Sequence, residues 1–61
     1  MGIAPYQYVI QQRVELAKQL LKCRDVAISE VALACGFANQ SHFTKHFRKL
    51  TGITPKAYRE R

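Results

Sequence analysis

Two apolar stripes at helical spacing, joined across a single glycine, constrain this chain more than any other feature. Ile28, Val31, Ala32 and Cys35 recur at i, i+3, i+4 and i+7, which marks one face of a helix. Phe43, Phe47 and Leu50 repeat that periodicity after a connection of about four residues beginning at Gly36. Two helices so joined describe a helix-turn-helix, predicted over 28–51. Gly36 supplies the left-handed residue that ends the first helix. Asn39 caps the second, which runs to Thr51 before Gly52 stops it. Glu30 sits well against the positive end of the first helix, but Ala27 has no oxygen to complete a capping box.

A longer helix is predicted ahead of this pair, over 4–22, with Pro5 in its first helical position. Tyr6, Val9, Ile10, Leu16, Ala17, Leu20 and Leu21 fall within one arc of a wheel turning ~100° per residue. Arg13 projects from the middle of that arc and Tyr8 from the opposite side. A charge among apolar neighbours must be paired or must snorkel. A structural pair, with Asp25 the preferred carboxylate, or a carbonyl cap is expected of Arg13. After Gly52, "TPKAYRER" predicts a short closing helix over 54–61, with Thr54 as cap and Pro55 in its first turn. The fold class is therefore all-α, in one domain spanning 1–61.

A chain of 61 residues needs a staple, a partner or well-packed helices to stabilise so small a core. A staple has little support. Cys23 and Cys35 are expected as free thiols of a reducing compartment. His42 and His46 at i, i+4 can chelate a metal, but a zinc site places its cysteines two to four residues apart. Here eleven residues separate them, so no metal and no cofactor is expected. The carboxylates are scattered and no glycine-rich phosphate loop is present, so no enzyme is expected. No apolar run approaches the ~20 residues that span a bilayer. The N-terminus lacks the basic and apolar regions of a signal peptide, and a cytoplasmic location follows.

The net charge is +6, and its placement is uneven. Residues 1–39 mix Arg13, Lys18, Lys22 and Arg24 with Glu15, Asp25 and Glu30, whereas residues 40–59 hold Lys45, Arg48, Lys49, Lys56 and Arg59 without a carboxylate. On the second helix of the pair the two characters separate. Phe43, Phe47 and Leu50 share one side; Ser41, His42, Lys45, Arg48 and Lys49 share the other. Single-strand binders display aromatics among basic residues, so segregated phenylalanines point to a core instead. A membrane-bound helix leaves a broad apolar face exposed, and these stripes are narrow. The remaining fit is a basic helix sized for the major groove of DNA.

The spacing of these residues resembles the DNA-binding domain of AraC/XylS-type bacterial transcription regulators. The resemblance rests on Pro5, Tyr8-Val9, Arg13-Val14, Ala17, Leu20-Leu21, Ile28, Val31-Ala32, Gly36-Phe37, Ser41, Phe43, Phe47, Gly52, Thr54-Pro55 and Tyr58-Arg59. Ala4 and Ala27 depart from it, standing where capping Ser or Thr is common. The resemblance implies a homeodomain-like helix-turn-helix, the second of two such units, preceded by a linker helix that packs on both. It further implies a longer regulator, an activator in many members, whose first unit and effector or dimerisation domain are partners of this segment. Tyr8 would then meet the first unit, and "MG" would be an added initiator.

Sequence-specific binding of double-stranded DNA is thus the expected function. Gln40, His42 and Lys45, near the start of the recognition helix, are expected at base edges. Ser41, Arg48, Lys49, Tyr58 and Arg59 are expected at phosphates. The alternative is a partner-binding module that contacts RNA polymerase or a regulatory domain.

Overall fold

The computed structural model describes residues 5–61, which form four helices: α1 (Tyr6–Leu21), α2 (Ile28–Ala34), α3 (Gln40–Thr51) and α4 (Pro55–Glu60). The predicted linker start at residue 4, Ala4 as a cap and the added initiator lie outside the described residues. None of the described helices is long and apolar enough to cross a membrane.

Pro5 stands at the N-cap of α1, one residue before its predicted place. Its φ of −59° suits a helix, but its ψ of 151° is extended. Proline fixes only φ, so ψ decides. Its carbonyl still accepts from the N–H groups of Tyr8 and Val9 at 3.0 and 3.2 Å.

Only one edge of the predicted apolar arc on α1 is buried. Ile10, Val14, Ala17 and Leu21 are buried, whereas Tyr6 and Leu16 are 61% and 47% exposed. Val14 belongs to the core although the arc omitted it. α1 packs on all three shorter helices, and they cover a narrower stripe than its apolar residues span.

The bend after α2 is built by hydrogen bonds that end a helix on a left-handed residue. Gly36 has φ +92°. Its N–H donates to the Leu33 carbonyl at 3.1 Å, and the Phe37 N–H reaches back to Ala32 at 3.0 Å. This reciprocal pair is a Schellman motif, and it turns Phe37 into the core, where it is 3% exposed. Phe37, Phe43, Phe47 and Tyr58 then follow one another ring to ring, with centroids 5.1, 5.5 and 5.5 Å apart. The edge and tilted geometries suit aromatic quadrupoles. Leu50, expected beside Phe43, is instead 46% exposed.

Arg13 forms neither the pair with Asp25 nor the carbonyl cap expected of it. The single ion pair among the described residues is Lys18–Glu15 on α1, at 3.0 Å. Arg13 lies over the backbone of the bend: a Cβ at Gly36 would sit 3.1 Å from its Nε. The carbonyl cap belongs to Arg59. Its Nε donates to the Leu21 carbonyl at 3.1 Å, and one terminal nitrogen donates to Cys23 at 3.1 Å and Val26 at 2.6 Å. A guanidinium presents several donors in one rigid plane, which suits it to several carbonyls at once. α4 is thereby tied to the end of α1 and to the loop leading into α2.

Candidate nucleic-acid interface

α3 is positioned at both ends by local chemistry. At its start, the Asn39 Oδ1 accepts from the His42 N–H at 2.8 Å. At its end, Gly52 adopts φ +85° and its N–H donates to the Arg48 carbonyl at 2.7 Å. Phe43 and Phe47 are fully buried, so the rotation of the helix about its axis is set by the core. Twelve residues at 1.5 Å each make a rod about 18 Å long.

Turned outward is a shallow depression lined by Gln40, Ser41, Thr44, Lys45, Arg48 and Lys49. All but Thr44 are exposed. Neither the three cations here nor Lys56 has an ion-pair partner among the described residues. Between Glu30 and Glu60 the chain contains no carboxylate. The surface is therefore one-signed and carries hydroxyl and amide groups between its charges, which suits a polyanion with readable edges.

Five of the eight expected contact residues come together in or beside this depression: Gln40, Ser41, Lys45, Arg48 and Lys49. Three do not. His42 turns to the flank, where its ring meets Phe37 edge-on at 5.7 Å and its Nε2 lies 3.1 Å from the His46 Nε2. Arg59 uses its Nε and one terminal nitrogen on carbonyls. Tyr58 is half-buried with its ring against Phe47. Thr44 was not anticipated, although its place four residues from both Gln40 and Arg48 puts it in their row.

Cys35 is buried, which pushes its thiol pKa up, and Cys23 is exposed; both are free. Burial, followed by the charges of His42, Lys45 and Lys49, holds the His46 pKa below the ordinary histidine value. Among the described residues, no three His, Cys, Asp or Glu side chains gather as a metal-binding group.

A family model described as a helix-turn-helix domain matches residues 1–61. The chain is 50% identical over 58 residues to the probable transcriptional regulator LumQ of Photobacterium leiognathi, covering 95% of this chain and 23% of that protein. It is 36% identical over 59 residues to the HTH-type transcriptional regulator ExsA of Pseudomonas aeruginosa, covering 97% and 21%. With the HTH-type transcriptional activator RhaS of Escherichia fergusonii it shares 34% over 59 residues, again covering 97% and 21%. The chain thus spans less than a quarter of the length of these relatives. No solved structure matches it.

Proposed function

The chain belongs to the helix-turn-helix domain family of AraC/XylS-type transcription regulators, and from that premise we propose that it binds double-stranded DNA sequence-specifically through α3. One observation carries the proposal: α3 buries its phenylalanines and turns outward a cationic row with no carboxylate to oppose it. A helix about 10–12 Å across fits a major groove about 12 Å wide.

Within that groove Gln40 and Lys45 contact base edges, since Gln pairs with adenine N6/N7 and Lys donates to guanine O6/N7. Thr44 lies between them and offers a methyl group toward thymine. Ser41, Arg48 and Lys49 contact phosphates and set register. Arg59 supports the interface from behind by holding α4 to α1, and Tyr58 does so by packing on Phe47.

α1 is the linker helix and this domain the second of two units in a longer regulator. The exposure of Tyr8 and Leu16, at 52% and 47%, supports that reading. It leaves apolar surface on α1 for the other unit to cover.

Binding isotherms for Lys45→Ala and Lys49→Ala, on preferred and random duplexes at several salt concentrations, test the scheme. Lys45→Ala should weaken the preferred site more than random DNA. Lys49→Ala should weaken both alike and reduce the salt slope by about one. Identical behaviour of the two variants on both duplexes would refute the division of roles. No effect of either would favour a protein partner, such as RNA polymerase, on this face.

A further inference from the structure

His42 and His46 occupy successive turns of α3, with Nε2 atoms 3.1 Å apart and ring planes at 86°. Phe37 holds both rings, meeting His42 edge-on at 5.7 Å and stacking on His46 at 6.0 Å. Tyr6 of α1 meets His46 at 6.3 Å. On the wheel His42 lies about 60° and His46 about 100° from Lys45, and Lys49 borders the same flank. A helix that fills the groove presses its flanks against the phosphate walls.

We infer that His46, with His42 and Lys49, forms a proton-dependent phosphate site: His46 takes up a proton from solvent as α3 enters the groove and donates to a backbone phosphodiester oxygen. The inference rests on the DNA-binding function proposed above.

The surroundings of the pair favour an anion. Lys45 and Lys49 are the cations that His46 feels from its own helix. α1 contributes Tyr6, Gln7 and Ile10 to the cleft beside it, and the bend contributes Phe37. Among the described residues no carboxylate lines that cleft. Among the described residues a metal ion would find two nitrogen ligands, no third His, Cys, Asp or Glu gathered with them, and a repulsive field.

Protonation also changes the pair itself. In the neutral state one Nε2 donates and the other accepts. With the His42 Nε2–H as the donor, which keeps a proton off its buried Nδ1, a proton added at the His46 Nε2 removes the acceptor. His42 could compensate only by moving its own proton to Nδ1, which is buried and without a hydrogen-bond partner. Leaving a buried N–H unpaired is costly, so protonation detaches His46 from His42 and frees its donors. In the free protein nothing rewards this, and the His46 pKa stays low. A phosphate raises it. The complex then holds up to one more proton than the free protein, and affinity rises as pH falls between the two pKa values, by at most tenfold per pH unit.

The test is a set of DNA-binding isotherms for the parent and His46→Gln at constant ionic strength, from about pH 7.5 to 5.5. Melting curves confirm folding at each pH. Parent affinity should rise roughly three- to tenfold per unit toward acid, and His46→Gln should flatten that profile. A profile unchanged by His46→Gln, with DNA binding intact, overturns the inference alone. Absence of binding at every pH overturns the DNA-binding function as well. If His46→Gln does not fold, the NMR titration of the parent His46 ring decides. Duplex must raise its midpoint, and an unmoved midpoint overturns the site. Inorganic phosphate at equal ionic strength must not raise it; an equal shift shows a free-anion site and not a groove-wall contact.

Discussion

Replacing Arg59 by methionine keeps most of the side chain's length and removes every donor that ties α4 to the rest of the domain. Hydrogen bonds from a charged donor contribute about 1.5–3 kcal/mol each. Three are lost, but they share two nitrogens, and the Cys23 bond lies at an exposed position where water can replace it. A net loss of about 2–4 kcal/mol is expected. A domain of 61 residues has roughly 3–9 kcal/mol in all, at about 0.05–0.15 kcal/mol per residue, so the urea midpoint should fall by about a quarter at the least and by about half in the middle of both ranges. Arg59→Lys should land between parent and Arg59→Met, because an ammonium is one point of charge and cannot span three carbonyls. Urea unfolding followed by helical circular dichroism measures the series. DNA binding under conditions where Arg59→Met remains folded should keep the parent's salt slope. An unchanged midpoint together with a slope lower by about one would refute the clamp and return Arg59 to the phosphates.

Phe43 is fully buried between Phe37 and Phe47. Phe43→Ala should cost about 3–5 kcal/mol, about a third or more of the stability of so small a domain, and lower its melting temperature markedly; a parent-like melting curve would refute its place in the core. Gly36 and Gly52 both have left-handed φ, but only at Gly36 would a Cβ meet a neighbour, Arg13. Gly36→Ala should therefore cost more than Gly52→Ala, roughly 2 against 1 kcal/mol, and equal costs by urea unfolding would refute that contact.

Features of local origin were legible in the sequence. Gly36, Asn39, Gly52 and Thr54-Pro55 act within a few residues, and the structure has α2 over Ile28–Ala34, α3 over Gln40–Thr51 and α4 over Pro55–Glu60, the last of these shorter than the expected 54–61. The segregation of α3 followed from periodicity for the same reason. What depends on a distant neighbour was not legible. A wheel places His42 among the polar residues of α3, but not beside Phe37, which arrives through the bend. It places Tyr6 and Leu16 in the apolar arc of α1 without revealing that three short helices cover only part of it. Arginine looks the same in a sequence whether it meets phosphate, as expected of Arg59, or three carbonyls.

The clamp also has a kinetic side. Its carbonyls precede Arg59 by 33 to 38 positions, so the contact closes a loop of more than half of the 61-residue chain. During synthesis, α1, α2 and the bend leave the ribosome well before the residue that fastens them. A closure of such high sequence separation must overcome loop entropy before it contributes anything. Helices can form and the phenylalanines can begin to collapse earlier, but the end of α1 and the loop after it stay untied until Arg59 emerges. The docking of α4 is thus a late step, following the collapse of the phenylalanines that sets the rotation of α3.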